Sequence, residues 1–191
     1  MSRAAQKLIA ASGGEDAYEI DQSLMFDSAD SSSLAFDPSS SFSSNTVYSF
    51  STWVKKSSNQ KDNLLFSVGY YTNSSNQSNM WLHFDGNSSR YDKLTVWHKE
   101  VVSGTTTYAS QTISSSAVYR DPAAWYHVLM TRNGTAIKGY INGVEVLSGT
   151  MTANSAVGIR DNYPIHIGSV NLDNAWLDGY MAETHYIDGT V

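Results

Sequence analysis

The chain has 191 residues and a mass of 21.0 kDa, a length that suits one domain with at most a short appendage. Hydrophobic residues make up 41% and aromatic residues 12%, which indicates a globular protein. The absence of cysteine excludes a disulfide framework, a cysteine zinc site and a thiol nucleophile. A net charge of −6 argues against nucleic acid as a partner. No apolar run approaches the ~18 residues of a membrane span.

The first 18 residues differ in character from the rest of the chain. The stretch from Ser2 to Ala11 is rich in helix formers, and Gly13-Gly14 follows as a stop signal. About three helical turns are not stable alone in water, so this segment either docks onto a partner or frays. We interpret residues 1–18 as an anchoring segment and residues 19–191 as one folded domain. The residues assigned to assembly are Arg3, Lys7, Leu8 and Ile9.

After Gly14 the pattern becomes one of short apolar or alternating runs separated by polar turns, which is typical of a β-sandwich. Serine tracts fall between these runs, where hydroxyl groups can satisfy the backbone of turns. The predicted strands are Ser23–Phe26, Ser33–Phe36, Val47–Lys55, Leu64–Gly69, Met80–Phe84, Lys93–His98, Thr105–Ser110, Trp125–Arg132, Thr135–Ile141, Val144–Ser148, Ile165–Gly168 and Tyr180–Ile187.

Two Asn-Gly dipeptides, Asn133-Gly134 and Asn142-Gly143, lie between alternating runs and predict consecutive hairpins with tight turns. Two-residue turns pair Arg132 with Thr135 and Ile141 with Val144. The predicted core face of this meander carries Val128, Met130, Ile137, Gly139, Ile141, Val144 and Val146. The predicted half-wet face carries Trp125, His127, Leu129, Lys138, Tyr140 and Glu145.

The strand at Val47–Lys55 divides in the same way. Tyr48, Phe50, Thr52 and Val54 predict its core face. The alternate positions place Trp53 on a polar face.

The order of five segments resembles the concanavalin A-like, laminin G-type family. They are YSFSTWVKK (Tyr48–Lys56), NLLFSVG (Asn63–Gly69), WYHVLMTRNGTAIKGYINGVEV (Trp125–Val146), IHIGS (Ile165–Ser169) and LDGYMAETHYID (Leu177–Asp188). The resemblance covers roughly residues 19–191. It implies an all-β fold, a two-sheet antiparallel jelly-roll sandwich, to which the leader adds a short N-terminal helical segment.

Two details resemble bacteriophage virion proteins more narrowly. The closing strand LDGYMAETHYIDG looks like those of phage proteins, and MSRAAQKLIAASGG resembles short leader helices of tail and fibre proteins. This resemblance implies a protein made in the host cytoplasm, attached to the particle through its N-terminus and presenting the sandwich outward.

A hydrolase is the weaker interpretation. Glycosidases of this fold carry paired carboxylates as E-x-D-x-x-E on one strand. Glu19-Ile20-Asp21 begins that pattern, but Leu24 stands where the second glutamate belongs. We therefore predict a non-enzymatic protein with no catalytic residues.

The five histidines form neither H-x-H nor H-E-x-x-H, so the sequence assigns no metal ligand and no cofactor. Calcium stays an open alternative, because laminin G-type relatives bind it at the sandwich rim through Asp and backbone carbonyls. Asp161, Asp173 and Asp178 lie in or beside the late loops that such a site would use.

Glycan binding needs aromatic faces and planar polar groups. A predicted polar loop from Tyr70 to Asn79, together with the following Trp81, has that composition, although an ordinary polar connection is the more favoured interpretation of the loop. Its candidate residues are Tyr70, Tyr71, Asn73, Asn76 and Trp81. The second candidate face consists of Trp53, Trp125, His127 and Tyr140. Packing of these aromatic residues against a neighbouring subunit or strand would also explain them.

These observations lead to one function and two alternatives. The first is a phage virion structural protein, a tail-fibre, appendage or capsid-surface module, that binds other virion proteins through residues 1–18 and contacts the host surface. It is expected to form a homo-oligomer, since weak sites on repeated copies gain avidity, with no membrane and no nucleic acid as partner. The alternatives are a carbohydrate-binding adhesin that recognises a host cell-surface glycan and, less favoured, a glycoside hydrolase.

Overall fold

The computed structural model describes residues 20–36, 44, 46–102, 104–151, 164–170 and 175–191. In these residues twelve β-strands form two antiparallel six-stranded sheets, which pack as a jelly-roll sandwich. The described part of the chain contains no helix, and therefore none that could span a membrane. The predicted N-terminal helix and its residues Arg3, Lys7, Leu8 and Ile9 lie outside the described residues.

Each predicted strand is present, with shifted ends. The strands are β1 Leu24–Phe26, β2 Leu34–Phe36, β3 Val47–Lys56, β4 Asn63–Asn73, β5 Asn76–Phe84, β6 Leu94–Val102, β7 Thr105–Ser114, β8 Tyr126–Asn133, β9 Ala136–Ile141, β10 Val144–Thr150, β11 Ile165–Ile167 and β12 Gly179–Asp188. Sheet A has the order β1-β12-β3-β8-β9-β10, and sheet B has the order β2-β11-β4-β5-β6-β7.

The core lies between the inner faces of the two sheets. The predicted inner positions of β3, Tyr48, Phe50, Thr52 and Val54, are all fully buried, which confirms the alternation. Phe66 from β4 packs against Phe50, with ring centroids 4.8 Å apart, so aromatic residues join the two sheets.

The first predicted hairpin turn lies one residue too early, which shifts the predicted cross-strand pairing by two residues. Asn133 pairs with Ala136 and Arg132 with Ile137, so that Gly134 and Thr135 form the turn. The backbone N–H of Gly134 donates to the Thr46 carbonyl at 2.8 Å, a contact from outside the hairpin. A shift of two residues leaves every side chain on its predicted face, because the period of a strand is two.

The second turn is confirmed, but the strand after it departs from the prediction. Ile141 pairs with Val144, and Asn142 and Gly143 have φ of 51° and 80°. A bulge between Glu145 and Leu147 then interrupts the register. Leu147 becomes the buried residue, whereas Val146 is only partly buried and Val144 is exposed on this edge strand.

A buried ion pair joins the two sheets at one end of the sandwich. Lys56, the last residue of β3, places Nζ 3.0 Å from Oδ1 of Asp92, and both side chains are fully buried. Asp92 also accepts the Gln60 N–H at 2.9 Å and the Arg120 Nε–H at 3.1 Å. Burial alone would raise the pKa of Asp92, but these donors and cations outweigh it and hold the pKa below its ordinary value.

Replacing Asp92 by Asn should destabilise the fold by about 3 kcal/mol or more, because it leaves Lys56 buried without its anion. Urea unfolding measures this change. Lys138→Met is the matched control, since Lys138 pairs with Glu145 in an exposed ion pair and its loss should leave stability nearly unchanged. Equal stability of D92N and the wild-type protein would contradict the assignment.

His98 is a titratable group inside the sandwich. It is fully buried on β6 opposite Met80, and its Nε2 lies 2.8 Å from Oε1 of Gln111. Burial lowers the pKa of His98 below 6.5; Gln111 and Glu100 oppose this shift, and Arg132 adds to it. The folded protein therefore favours the neutral imidazole.

The sign of the pH dependence follows from this shift. Below pH 6.5 the unfolded chain takes up a proton on His98, whereas the folded chain resists protonation. The contribution of neutral His98 to the free energy of unfolding is therefore complete above pH 6.5 and is lost as the pH falls below it. We expect His98→Gln to reduce the loss of unfolding free energy between roughly pH 7.5 and 5, measured by urea titration at each pH. An unchanged pH dependence would contradict this role.

Candidate functional site

The outer face of sheet A gathers aromatic and hydrogen-bonding side chains from three adjacent strands. Trp53 on β3 pairs with His127 on β8, and Leu129 on β8 pairs with Ser51 and with Tyr140 on β9. All five side chains are half-buried. We call this surface, defined by Ser51, Trp53, His127, Leu129 and Tyr140, the sheet A face.

Hydrogen bonds hold the centre of the sheet A face in place. His127 Nε2 lies 2.9 Å from Ser51 Oγ, and the His127 ring centroid is 5.1 Å from that of Trp53. The His127 backbone N–H donates to Oδ1 of Asn142 at 2.8 Å. Burial lowers the pKa of His127, although Glu183 opposes the shift, and this favours the neutral ring. Because Ser51 engages one ring nitrogen, the neutral imidazole offers one further donor or acceptor and an apolar surface next to the indole.

Charged residues border this face on the side of β9 and β10. Lys138 Nζ lies 2.9 Å from Oε2 of Glu145, and the Tyr140 hydroxyl lies 3.5 Å from the same oxygen. Trp125, the last member of the predicted set, is half-buried just before β8. The structure thus brings Trp53, His127 and Tyr140 together as the sequence predicted.

The first set of candidate glycan-binding residues, which begins at Tyr70, does not lie in the loop that the sequence predicted. The residues from Tyr70 to Asn79 are not a loop, because β4 continues to Asn73 and β5 begins at Asn76. Tyr71 pairs with Gln77 and Asn73 with Asn76, which makes a long hairpin with a turn at residues 74 and 75. The predicted polar composition belongs to paired strands, whose backbone groups satisfy one another.

Trp81, the last member of that set, lies on the outer face of sheet B. Trp97 on β6 is its direct cross-strand partner, with ring centroids 4.3 Å apart, and both are half-buried. We call these residues the tryptophan pair. Sequence reasoning missed Trp97, although its position between the buried Val96 and His98 carried the alternation that could have revealed it.

A pocket of about 430 Å³ opens at the end of the sandwich that contains the Lys56–Asp92 pair; we call it the end pocket. It includes Asp178, one of the acidic residues noted for calcium, whereas Asp161 and Asp173 lie outside the described residues. Its walls are formed by Ser28, Ser58, Lys61, Asp62, Gly86, Trp176 and Asp178.

An apolar groove of about 830 Å³ lies along the edge where β1 and β2 close the two sheets. Leu24, Leu34 and Phe36 line it and are each about half exposed, at 57%, 50% and 48%. This edge groove begins at Gln22, close to the first described residue.

These sheets, their order and their outer surfaces define a lectin-like jelly roll. The family model of the concanavalin A-like lectin/glucanases superfamily matches residues 27–190. The chain therefore belongs to this superfamily, as the five sequence segments indicated. A comparison with curated proteins finds no match.

Solved structures share the fold at low identity. Domain 4 of AbnA, an extracellular GH43 arabinanase from Geobacillus stearothermophilus, has a TM-score of 0.60 at 22% identity, covering 93% of this chain and 77% of that one. The CBM40 of the Ruminococcus gnavus IT-sialidase has a TM-score of 0.54 at 13% identity, covering 80% and 88%. The enzymatically active domain of bacteriophage CBA120 tailspike protein 2 has a TM-score of 0.54 at 14% identity, covering 83% and 24%.

Proposed function

We propose that this protein is a non-enzymatic carbohydrate-binding domain and that the sheet A face is its binding surface. The observation that carries the proposal is the Trp53–His127–Ser51 arrangement, in which an indole, a neutral imidazole and a hydroxyl lie on one outer face. A sugar ring has apolar C–H faces and a rim of hydroxyl groups. It is therefore matched by aromatic rings flanked by hydrogen-bonding groups.

The contact between Ser51 and His127 also favours this face over an aromatic surface whose polar groups are not fixed in orientation. The 2.9 Å contact between Ser51 and His127 fixes the orientation of the imidazole before a ligand arrives. Preorganised groups lose less conformational freedom on binding, which leaves more of the contact energy for affinity. Tyr140 and Glu145 add a hydroxyl and a carboxylate to the border of this face.

The superfamily and its structural neighbours support this class of ligand. Its description names lectins and glucanases, and the neighbours include a carbohydrate-binding module and an arabinanase domain in complex with arabinotriose. The absence of enzymatic activity stays part of the proposal, supported by the incomplete carboxylate pattern around Glu19 and Leu24.

The test is a glycan array followed by calorimetry on the best ligand. Trp53→Ala should weaken binding roughly tenfold or more, because it removes the stacking surface. Trp97→Ala is the matched control, since it removes an equally half-buried tryptophan from the other sheet. Thermal unfolding of both variants verifies that each is folded.

Two outcomes would contradict the proposal in different ways. No signal on an array of bacterial surface glycans would argue against carbohydrate binding itself. Lost binding in W97A or Trp81→Ala, with W53A unchanged, would transfer the site to the tryptophan pair and the neighbouring hairpin of Tyr70 and Tyr71.

We further propose that the domain is displayed as a homo-oligomer on a bacteriophage particle. The support is the leader and closing-strand resemblance, together with the occurrence of this fold in a phage tailspike. The exposed apolar edge groove includes Gln22 and Leu24, near the first described residue, which favours an assembly contact at that edge.

Mass spectrometry of purified particles tests this context. The wild-type chain should be found in them, and deletion of residues 1–18 should remove it while the isolated domain still binds glycan. A chain that is absent from intact particles would contradict the virion assignment and leave the carbohydrate proposal intact.

A further inference from the structure

One histidine lies close to two carboxylates at the end of sheet B, away from the sheet A face. His83 on β5 is 5% exposed, and its Nδ1 lies 3.3 Å from Oδ1 of Asp62. The other ring nitrogen, Nε2, lies 3.9 Å from Oδ2 of Asp85. The Asp62 contact is within ion-pair distance, but neither ring nitrogen has the alignment of a good hydrogen bond in the described residues. A buried polar ring with two unsatisfied nitrogens costs free energy unless something binds there.

The two carboxylates are held in place by other donors. Asp62 Oδ1 accepts the Gly86 N–H at 2.8 Å, and Asp85 Oδ1 accepts the Asn87 N–H at 2.7 Å. Asp85 Oδ2 also accepts the Nε–H of Arg90 at 2.6 Å. Asp62, Asp85 and Arg90 together carry a net charge of −1, since two carboxylates outnumber one guanidinium.

We propose that Asp62, His83 and Asp85 form a binding site for a divalent transition-metal ion of the zinc class. One atom from each of these residues lies within 4.8 Å of the other two. Ligands about 2.1 Å from a common ion are separated by about 3 to 4 Å, so the 3.3 Å between Asp62 and His83 Nδ1 suits coordination. Asp85 Oδ2, which lies 3.9 Å from the other ring nitrogen and accepts from Arg90, must shift to join the same ion. The imidazole favours zinc or its neighbours over calcium, which prefers oxygen ligands.

Access and open coordination positions come from the end pocket. The Asp62 side chain is 42% exposed and belongs to the wall of that pocket, so an ion can reach the site from solvent. Three protein ligands leave a fourth position for water or a ligand. This site was not predicted from the sequence, because its ligands come together only when β4 and β5 pair, with Leu64 opposite His83.

Calorimetric titration of the EDTA-treated full chain with Zn²⁺, without a histidine tag, tests the site, and the visible absorption of bound Co²⁺ reports the ligand set. We expect one ion per chain. His83→Gln and Asp62→Asn should each weaken binding at least tenfold. D62N covers the case in which H83Q does not fold, since Asp62 is partly exposed and Asn still accepts the Gly86 N–H.

His185→Gln is the matched control, because His185 is exposed on β12 and lies outside the cluster. Its Zn²⁺ affinity should stay within twofold of the wild-type value. No binding by the wild-type chain, or binding that H83Q and D62N leave unchanged, would overturn the proposal. No glycan is present in this experiment, so its result is independent of the carbohydrate proposal.

Discussion

The buried ion pair between Lys56 and Asp92 is the constraint on which one end of this sandwich depends. It connects the last residue of β3 in sheet A with the segment just before β6 in sheet B. Two buried charges are tolerated only when their remaining hydrogen-bonding capacity is satisfied. Gln60 and Arg120 each donate a further hydrogen bond to the carboxylate of Asp92. The backbone N–H of Asp92 also donates to the carbonyl of Asp85 at 2.9 Å.

This network also positions the chemistry at the same end. Asp85 N–H donates to the carbonyl of Lys93, so the connection between β5 and β6 is closed by backbone bonds on both sides. Asp85 is therefore held beside His83, and Asp62 is held by Gly86 from the same connection. The proposed metal site and the end pocket are consequences of how this connection is tied to the Lys56–Asp92 pair.

The sheet A face follows from a different constraint, the two-residue period of a strand. On β3, every second side chain enters the core, and the alternate positions must face outward. Trp53 is therefore exposed to solvent in part, and its polar surroundings come from β8 and β9. The two proposed sites differ in origin: one uses a regular strand surface, and the other uses the ends of strands and a connection.

The sequence by itself determined the all-β class, the twelve strands, the inner and outer faces of β3 and the residues of the sheet A face. Alternation and turn residues are local properties, so they can be read without knowing which strands are neighbours. The one-residue bulge that exchanges Val146 for Leu147 could not be read, because it depends on packing against the opposite sheet. Nor could the convergence of Asp62 with His83, which are 21 positions apart in the sequence. Only tertiary structure decides such contacts, since the pairing of β4 with β5 brings together residues that no local pattern connects.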